Sequence, residues 1–261
     1  MKILLLGGTK DSTNIIEHIK ETHDYHILTT TTTEYGAELA RKAGSDEVIA
    51  RPLPKDEIIE IIKREKFDVL IDATHPFAKH ITQTSAGIAN ELEMPYIRFE
   101  RPTTNLENMD TSHIHYADSF DEAGKLIESK FGQGNVLHFA GANTMADIVE
   151  HVSVERFYPR ILKVKSSIDK CNALNIDPDH IIPMTGAATK EENIDLIVKY
   201  DASVMITKES GEIGGVIEKI EAANEKDIAV IMIKRPKIEI LNKNDVVNDL
   251  DELDDKLKNF F

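Results

Sequence analysis

Short apolar runs alternate with amphipathic stretches along the first half of the chain. The apolar runs predict strands, whereas residues such as Ile15, Ile16 and Ile19 recur at helical spacing and predict helices. The predicted strands are 2–6, 25–31, 47–49, 67–73 and 96–99, and the predicted helices are 12–20, 35–43, 55–66 and 79–93. Strands that alternate with helices in this way are typical of a parallel sheet covered by helices.

The second half repeats the alternation after a polar, turn-rich stretch, RPTTNLENMDTSHIHYAD, at residues 101–118. Its predicted strands are 135–139, 156–164, 181–184, 203–207 and 228–233, and its predicted helices are 121–130, 143–151, 190–200 and 215–224. We therefore predict an α/β protein of two Rossmann-like domains, residues 1–110 and 111–261, each with a mainly parallel sheet flanked by helices. A cleft between two such domains is a usual place for a ligand.

Composition narrows the class of protein. The chain has 261 residues and a formal net charge of −15, which argues against nucleic acid as a partner because phosphate binding relies on concentrated Lys and Arg. No apolar run approaches the roughly 20 residues that span a bilayer, and the single cysteine, Cys171, cannot form an internal disulfide. We expect a soluble cytoplasmic protein, in which the acidic C-terminal stretch DVVNDLDELDDKLKNFF forms the solvated face of a helix.

The turn after the first predicted strand resembles a dinucleotide fingerprint. Small residues are expected at its first, third and sixth positions, which here hold Gly7, Thr9 and Ser12. Backbone N–H groups from Gly8 through Lys10 to Asp11 would then face a phosphate at the start of a helix. The alternative is an ordinary strand–helix turn with Asp11 or Ser12 as the N-cap.

Five consecutive threonines, Thr29 to Thr33, stand where the second predicted strand ends. Thr29 to Thr31 are explained by the β-propensity of threonine alone. The residues beyond them lie where an acidic residue normally accepts hydrogen bonds from an adenosine ribose. We predict that this second part contacts the cofactor through Thr32, Thr33, Glu34, Tyr35 and Gly36.

Polar residues also follow two later strands. The run FDVLIDATHP ends in Asp72, Thr74 and His75, which would reach the same nucleotide; His75 could equally be a capping residue. The run VMITKESGEIGG places a lysine among glycines and hydroxyls at a helix start, a plausible anion site formed by Thr207, Lys208, Ser210 and Gly211. No metal motif is present, because His113 and His115 lack a third ligand.

Five segments in this order, GGTKDS, TTTTTEYG, DATHPFA, YIRFERP and TKESGEIGG, together resemble the precorrin-6A reductase family of corrin biosynthesis, including its cobalt-precorrin-6A form. The resemblance implies hydride transfer from NADH or NADPH to a double bond of a tetrapyrrole, which yields the 6B dihydro product. It also implies that cofactor and macrocycle lie in the cleft between two Rossmann-like domains. We expect no nucleic-acid or membrane partner, and only transient contact with other enzymes of that pathway.

The implied reaction assigns roles to several residues. A tetrapyrrole substrate carries many carboxylates, and arginine pairs with carboxylate bidentately, so we expect Arg98, Arg101 and Arg160 to join the residues after the 203–207 strand in binding it. Surface ion pairs are the alternative for Arg98 and Arg101. The proton donor is predicted to be His75 or Lys208, with an ordered water as the rival.

Two other function classes stay open from the residues alone. A nucleotide-sensing regulatory module would need the glycine turn at residues 7–8 but not the lysine site at residue 208. A different NAD(P)H-dependent reductase is the other alternative. The short-chain type is disfavoured, since no Tyr-x-x-x-Lys pair lies at a suitable position.

Overall fold

A computed structural model describes residues 1–260 of the chain; residue 261, the last of the predicted range 111–261, lies outside it. The described chain forms two compact units, one of residues 1–102 together with 236–260 and the other of residues 103–235. Each unit contains a six-stranded sheet in which all pairings are parallel. The predicted α/β architecture of two parallel sheets flanked by helices is confirmed.

The first unit is built from strand–helix repeats, with the sixth strand supplied by the end of the chain. Its strands are β1 (Lys2–Leu6), β2 (His26–Thr31), β3 (Glu47–Ala50), β4 (Val69–Asp72) and β5 (Tyr96–Phe99). Its helices are α1 (Lys10–Thr22), α2 (Glu34–Lys42), α3 (Lys55–Glu65) and α4 (Lys79–Leu92). The sheet order places β1 between β2 and β4, so the chain reverses direction across the sheet at β1 and β4. In such sheets a ligand binds beyond the carboxyl ends of the strands at that reversal.

Burial of both faces of the sheet explains why these strands are continuous apolar runs in the sequence. Ile3 and Leu5 contribute to the core on one face of the sheet, and Leu4 and Leu6 to the core on the other. A parallel sheet covered by helices on both faces requires apolar residues at successive positions rather than at alternate ones.

The second unit contains strands β6 (Ile114–Ala117), β7 (Asn135–His138), β8 (Phe157–Ile161), β9 (Ile182–Pro183), β10 (Ala202–Lys208) and β11 (Ala229–Ile233). Its helices are α5 (Phe120–Lys130), α6 (Met145–Val149), α7 (Lys165–Ala173), α8 (Lys190–Lys199) and α9 (Val216–Glu225). The sheet order is β6-β11-β10-β7-β8-β9, so the reversal lies between β10 and β7. The sequence pattern missed β6 and α7, because β6 lies in the polar stretch 101–118 and α7 buries a single residue, Cys171.

The domain boundary predicted at residue 110 differs from the observed division. Residues 236–260 belong with the first unit, where β12 (Val246–Val247) pairs with β5 and α10 (Leu250–Lys258) follows. The acidic stretch forms a helix as predicted, and the two buried residues of that helix, Leu253 and Leu257, pack into the core of the first unit. A two-residue strand is too short for periodicity to reveal. Within residues 1–260, no helix is long and apolar enough to cross a membrane.

Candidate functional site

The glycine turn joins β1 to α1 in a tight conformation. Gly8 has a φ of +95°, which favours glycine. A methyl group on Gly7 would come within 2.9 Å of the Ser12 hydroxyl oxygen and 3.1 Å of Thr29, so only glycine fits there. Ser12 of α1 and Thr29 of β2 therefore pack against this turn more closely than a larger residue at position 7 would allow.

Thr9, rather than Asp11 or Ser12, is the N-cap of α1. The Ser12 N–H donates to Thr9 Oγ1 at 3.1 Å, and the Ser12 hydroxyl accepts hydrogen bonds from Gly8 N and Thr9 N, both at 3.1 Å. Two of the four N–H groups predicted to face a phosphate are therefore bonded to Ser12 instead. The expected N-caps were wrong because a capping box uses the residue three positions before its partner.

The second loop lies against the first. A methyl group on Gly36 would approach the Gly8 Cα to 3.3 Å, so both loops need glycine where they meet. Thr33 caps α2 by accepting a hydrogen bond from Gly36 N at 3.1 Å. Glu34 pairs with Arg41 at 2.6 Å on the exposed surface, and Tyr35 is 63% exposed. Among residues 32–36, the capping of α2 therefore explains the role of Thr33.

A cavity of about 440 Å³ opens beyond the carboxyl ends of β1, β2 and β4. Six of the residues predicted to bind the cofactor or to act in catalysis line it: Gly7, Gly8, Thr9, Thr32, Thr74 and His75. Residues that sequence reasoning missed complete the wall: Leu6, Thr30, Thr31, Arg51, Pro52, Leu53, Ile58, Ala78, His80 and Ile81. Residues 51–53 follow β3. Because ligands bind beyond the carboxyl ends of parallel strands, the residues after this strand could have been predicted to line the site as well.

Arg98 is a buried structural residue and not a surface cation. Its Nη1 lies 2.9 Å from Asp72 Oδ1, and both side chains are 0% exposed. Asp72 also accepts hydrogen bonds from Thr74 N at 2.9 Å, Thr74 Oγ1 at 2.6 Å and the Tyr96 hydroxyl at 3.2 Å. Arg98 and Asp72 therefore neutralise each other inside the first unit, and the predicted contacts of Arg98 with substrate and of Asp72 with cofactor stay predictions.

Two further predicted residues form a second buried pair. Arg101, predicted to bind substrate, lies with its Nε 3.2 Å from the carboxylate of Asp11, predicted to bind cofactor. Arg101 is 9% exposed and Asp11 4% exposed. Their mutual ion pair explains the position of both side chains, whereas Lys10 between Thr9 and Asp11 is exposed at the start of α1.

The His75 ring lines the cavity in a defined orientation. Its Nδ1 accepts a hydrogen bond from the Phe77 N–H at 3.2 Å. In the neutral ring the proton therefore resides on Nε2, which is a donor. His75 can donate a hydrogen bond to a bound molecule, in keeping with the prediction that it contacts the nucleotide.

Lys208 ends β10 in the second unit. Burial lowers the pKa of its ammonium group from 10.5 to about 8, and its Nζ lies 5.6 Å from the centre of the Phe120 ring. On the neighbouring strand β7, His138 is fully buried, and burial lowers its pKa to about 3. The His138 Nε2 lies 3.0 Å from Thr144 Oγ1 and 3.3 Å from Gly141 O. Lys208 can thus exchange a proton near neutral pH, whereas His138 stays neutral.

The loop after β10 is organised by its own residues. Glu209 accepts hydrogen bonds from Thr104 N at 2.9 Å and from Gly211 N at 3.2 Å. Gly211 has a φ of +74°, and Ser210 is 7% exposed with its hydroxyl 3.4 Å from Lys208 O. Gly211 and Ser210 therefore shape the turn; their predicted contact with substrate stays a prediction.

Arg160 and Thr207 lie at the carboxyl end of the second sheet. The Arg160 guanidinium stacks over the Phe139 ring at 4.5 Å, and its Nη1 contacts Met184 Sδ at 3.6 Å. Burial lowers the pKa of Arg160 from its ordinary value. Thr207 is 0% exposed, and within residues 1–260 its hydroxyl has no hydrogen-bond partner. Both residues remain candidates for substrate binding.

His113 and His115, the histidines considered for metal binding, do not belong to the group of potential metal ligands found within residues 1–260. His113 lies 3.6 Å from Asp227, and His115 packs edge-on against Phe131 with ring centres 5.3 Å apart. Within residues 1–260 the group with ligand atoms close enough to share an ion is Asp121, Glu150 and His151. Asp121 and His151 already pair with each other at 2.9 Å.

Comparisons with known proteins agree over nearly the whole chain. The family model described as "Precorrin-6x reductase CbiJ/CobK" matches residues 2–258. A Methanothermobacter thermautotrophicus protein named "Cobalt-precorrin-6A reductase" is 37% identical over 99% of this chain and 84% of its own length. Proteins of the same name from Methanocaldococcus jannaschii and Priestia megaterium are 38% and 32% identical, over 92% and 91% of this chain and 92% and 91% of their own lengths. The solved structure "CobK precorrin-6A reductase" superposes with a TM-score of 0.79 at 16% identity, covering 100% of this chain and 97% of that one, which supports the fold.

Proposed function

This chain belongs to the precorrin-6x reductase CbiJ/CobK family, and on that premise we propose that it reduces cobalt-precorrin-6A to its 6B dihydro product in cobalamin biosynthesis. The observation that carries the proposal is the family match over residues 2–258, because it includes both units. Relatives that share more than a third of their residues with this chain bear the cobalt-precorrin name. The cobalt-containing tetrapyrrole is therefore the substrate that we propose.

The test is an anaerobic assay with the purified protein. Cobalt-precorrin-6A is incubated with NADPH or NADH in separate reactions, and oxidation of the nicotinamide is followed by its absorbance. We expect substrate-dependent oxidation and formation of a product with two added hydrogens by mass spectrometry. Metal-free precorrin-6A is the comparison that tests the preference for the cobalt form. Absence of substrate-dependent oxidation with both nucleotides would contradict the proposal.

We propose that the cavity of the first unit holds the dinucleotide. Its volume of about 440 Å³ lies within the ordinary range of cofactor sites. Gly7 and Gly8 line the cavity without side chains, which lets a pyrophosphate approach the backbone closely. A bound reduced nicotinamide supplies the hydride for the reaction. The residues of the chain bind it, orient it and exclude water.

The apolar wall of this cavity suits the adenosine end of the dinucleotide. Leu53 after β3, Ile58 of α3 and Ile81 of α4 line it, where an adenine ring would find apolar contact. Thr32 lines the same cavity with a side chain that can both donate and accept a hydrogen bond. We assign Thr32 to the ribose and His75 to hydrogen bonding with the dinucleotide.

Arg51 favours NADPH over NADH in this proposal. The residue follows β3, lines the cavity, and donates through Nη1 to Glu57 Oε2 at 2.8 Å. No acidic residue among the cavity-lining residues would repel a 2′-phosphate, since Glu34 pairs with Arg41 outside it. Both Arg51 and Glu57 are on the surface, so Arg51 can exchange this exposed pair for a phosphate at small cost.

The cofactor preference can be measured with a matched pair of variants. Arg51→Gln should lower kcat/KM for NADPH by about 10- to 100-fold, the effect of losing a charged hydrogen bond, and change that for NADH little. Arg41→Gln removes a similar exposed arginine from the neighbouring helix and should leave both constants unchanged. Equal losses with both nucleotides in Arg51→Gln would show that this residue does not select the 2′-phosphate.

We propose Lys208 as the proton donor. Reduction of a conjugated double bond adds a hydride to one atom and a proton to the other, so an acid with a pKa near the working pH is needed. Burial brings the pKa of the Lys208 ammonium to about 8, which meets that condition. Since His75 lines the dinucleotide cavity, its Nε2–H is assigned to binding there and not to proton transfer.

A further inference from the structure

A second cation lies close to Arg160 in the interior of the second unit. Lys219 of α9 is 2% exposed, and its Nζ donates a hydrogen bond to Gly214 O at 2.7 Å. Within the described chain this carbonyl is its single hydrogen-bond partner, and neither Lys219 nor Arg160 has a carboxylate within ion-pair distance. Burial and, to a smaller extent, the positive charge of Arg160 lower the pKa of Lys219.

Thr207 shares the face of the sheet on which these cations lie. Met205 of β10 packs in the same core cluster as Val216 and Ile220 of α9, and side chains two residues apart point to the same face of a strand. Thr207 therefore faces α9 as well. Phe139, over which Arg160 stacks, belongs to that cluster too.

Lys219 is buried and Arg160 is partly buried, and two such cations that repel each other are unfavourable unless an anion joins them. Buried charges in proteins are ordinarily paired or hydrogen-bonded, and a buried hydroxyl ordinarily has a partner. Here Lys219 bonds a backbone carbonyl and Arg160 contacts Met184 Sδ and the Phe139 ring, so neither cation is paired with a carboxylate. The buried Thr207 hydroxyl, on the same face of the sheet, has no hydrogen-bond partner within residues 1–260. Phe139 and Met184, which contact Arg160, are apolar and would strengthen an electrostatic contact of its guanidinium by excluding water.

We propose that Arg160, Thr207 and Lys219 form a binding pocket for one carboxylate of the substrate's peripheral side chains. The inference rests on the proposed function, because it assigns a tetrapyrrole carboxylate to the second unit. Lys219 is then a specificity-determining residue: it recognises a free carboxylate and disfavours a neutral side chain at that position. Sequence reasoning missed it, since a lysine inside an amphipathic helix normally lies on the solvated face.

Binding of a carboxylate in this pocket should be accompanied by uptake of a proton near neutral pH. Burial and Arg160 together lower the pKa of Lys219 to about 7, while Glu218 of its own helix raises it. Glu192 of α8 likewise raises the pKa of Arg160, which burial lowers. A bound carboxylate adds a nearer negative charge and restores the ammonium form of Lys219, so binding and protonation are linked.

Binding of a stable corrin tests the pocket without turnover. The probe is cobyrinic acid, whose peripheral acetate and propionate groups are free, and its fully methyl-esterified form is the neutral comparison. Lys219→Met should weaken cobyrinic acid binding about tenfold or more, as expected for the loss of a charged hydrogen bond, with the Kd for NADPH unchanged. Lys125→Met, on the exposed surface of α5, is the matched control and should bind like the unaltered protein. Equal affinity of Lys219→Met and the unaltered protein for cobyrinic acid would overturn the inference.

The unaltered protein provides a second measurement, which does not depend on how Lys219→Met folds. The heat of cobyrinic acid binding is measured at about pH 8 in two buffers of different ionisation enthalpy. We expect uptake close to one proton, because a lysine with a pKa of about 7 is mostly neutral there. Lys208→Met should retain this uptake, since Lys208 lies on the opposite face of the sheet. Loss of the uptake in Lys208→Met, or its absence in the unaltered protein, would contradict the assignment to Lys219.

Two further experiments distinguish a substrate carboxylate from a dinucleotide phosphate as the bound anion, and the pocket from the proposed function. Inorganic phosphate at millimolar concentration should compete weakly with cobyrinic acid; competition that displaces it fully and raises the apparent Kd for NADPH would assign the pocket to a dinucleotide phosphate and overturn the inference. A protein that binds cobyrinic acid through Lys219 but fails the anaerobic reductase assay would refute the proposed function alone. A protein that turns over normally as Lys219→Met would refute the pocket alone.

Discussion

Replacement of Arg98 by methionine should destabilise the first unit without removing a ligand contact. The guanidinium is 0% exposed and lies 2.9 Å from Asp72 Oδ1, 3.3 Å from Glu100 Oε2 and 3.2 Å from Thr74 Oγ1. Methionine leaves the carboxylate of Asp72 buried without its cation, which typically costs about 3 to 5 kcal/mol. The hydrogen bonds from Thr74 and the Tyr96 hydroxyl remain, so we expect a value near about 3 kcal/mol, the lower end of that range.

Thermal unfolding measures this loss. A destabilisation of about 3 kcal/mol lowers the midpoint by roughly 6 to 12 °C for a protein of this size. Arg41→Met, which breaks the exposed pair with Glu34, is the control and should cost less than about 1 kcal/mol. The double variant Asp72→Asn with Arg98→Met should recover part of the loss, since it removes the unpaired charge.

The result that would refute this reasoning is a selective binding defect. If Arg98→Met melts like Arg41→Met but binds cobyrinic acid more weakly, then Arg98 contacts the substrate after all. The buried ion pair with Asp72 would then not be the role of the residue.

Three further predictions concern both units. The kcat of the reductase should fall as pH rises through about 8, the pKa of Lys208, because the donor loses its proton; Lys208→Met should abolish this limb and lower kcat by about 100-fold or more while the Kd for NADPH stays unchanged, and an unaltered pH profile would exclude Lys208 as the donor. The folded pKa of His138 is depressed from 6.5 to about 3, so the unfolded state binds more protons in that interval and the free energy of unfolding must decrease as pH falls below about 6.5; urea midpoints of His138→Gln should depend less on pH there, and a dependence as steep as in the unaltered protein would contradict the assignment. Thr32→Val should weaken NADPH binding by about 1 to 3 kcal/mol if its hydroxyl bonds the ribose; Thr33 is left intact because it caps α2, and an unchanged Kd would return the threonine run to β-propensity alone.

The order of strands and helices could be predicted from local pattern because each buried strand needs its own apolar run. Lys2–Leu6 and Tyr96–Phe99 were predicted with the bounds that the structure shows. The strand-end rule likewise located Gly7, Thr32 and His75, which now line one cavity. The motif order identified the family, which the family model confirms over residues 2–258.

Tertiary structure decided which polar residues are available to a ligand. Arg98 and Asp72 are 26 positions apart and became one buried pair only when β4 and β5 aligned, a contact that no local pattern records. Val246–Val247 closes the first sheet although it is separated from that unit by the whole second unit. Lys219 looks like an ordinary helix lysine in the sequence, yet packing against the sheet buries it beside Arg160.

The physical reason is the range of the forces involved. Backbone propensity, helix capping and apolar periodicity act over a few neighbouring residues, so the sequence by itself determines the elements and the ends of strands where a site can form. Burial and the pairing of charges depend on residues that are distant in the chain, and they set the pKa and the partners of each side chain. Only the folded chain therefore separates Arg98, which is paired with Asp72, from Arg160, which stacks on Phe139 and for which we propose an anion as partner.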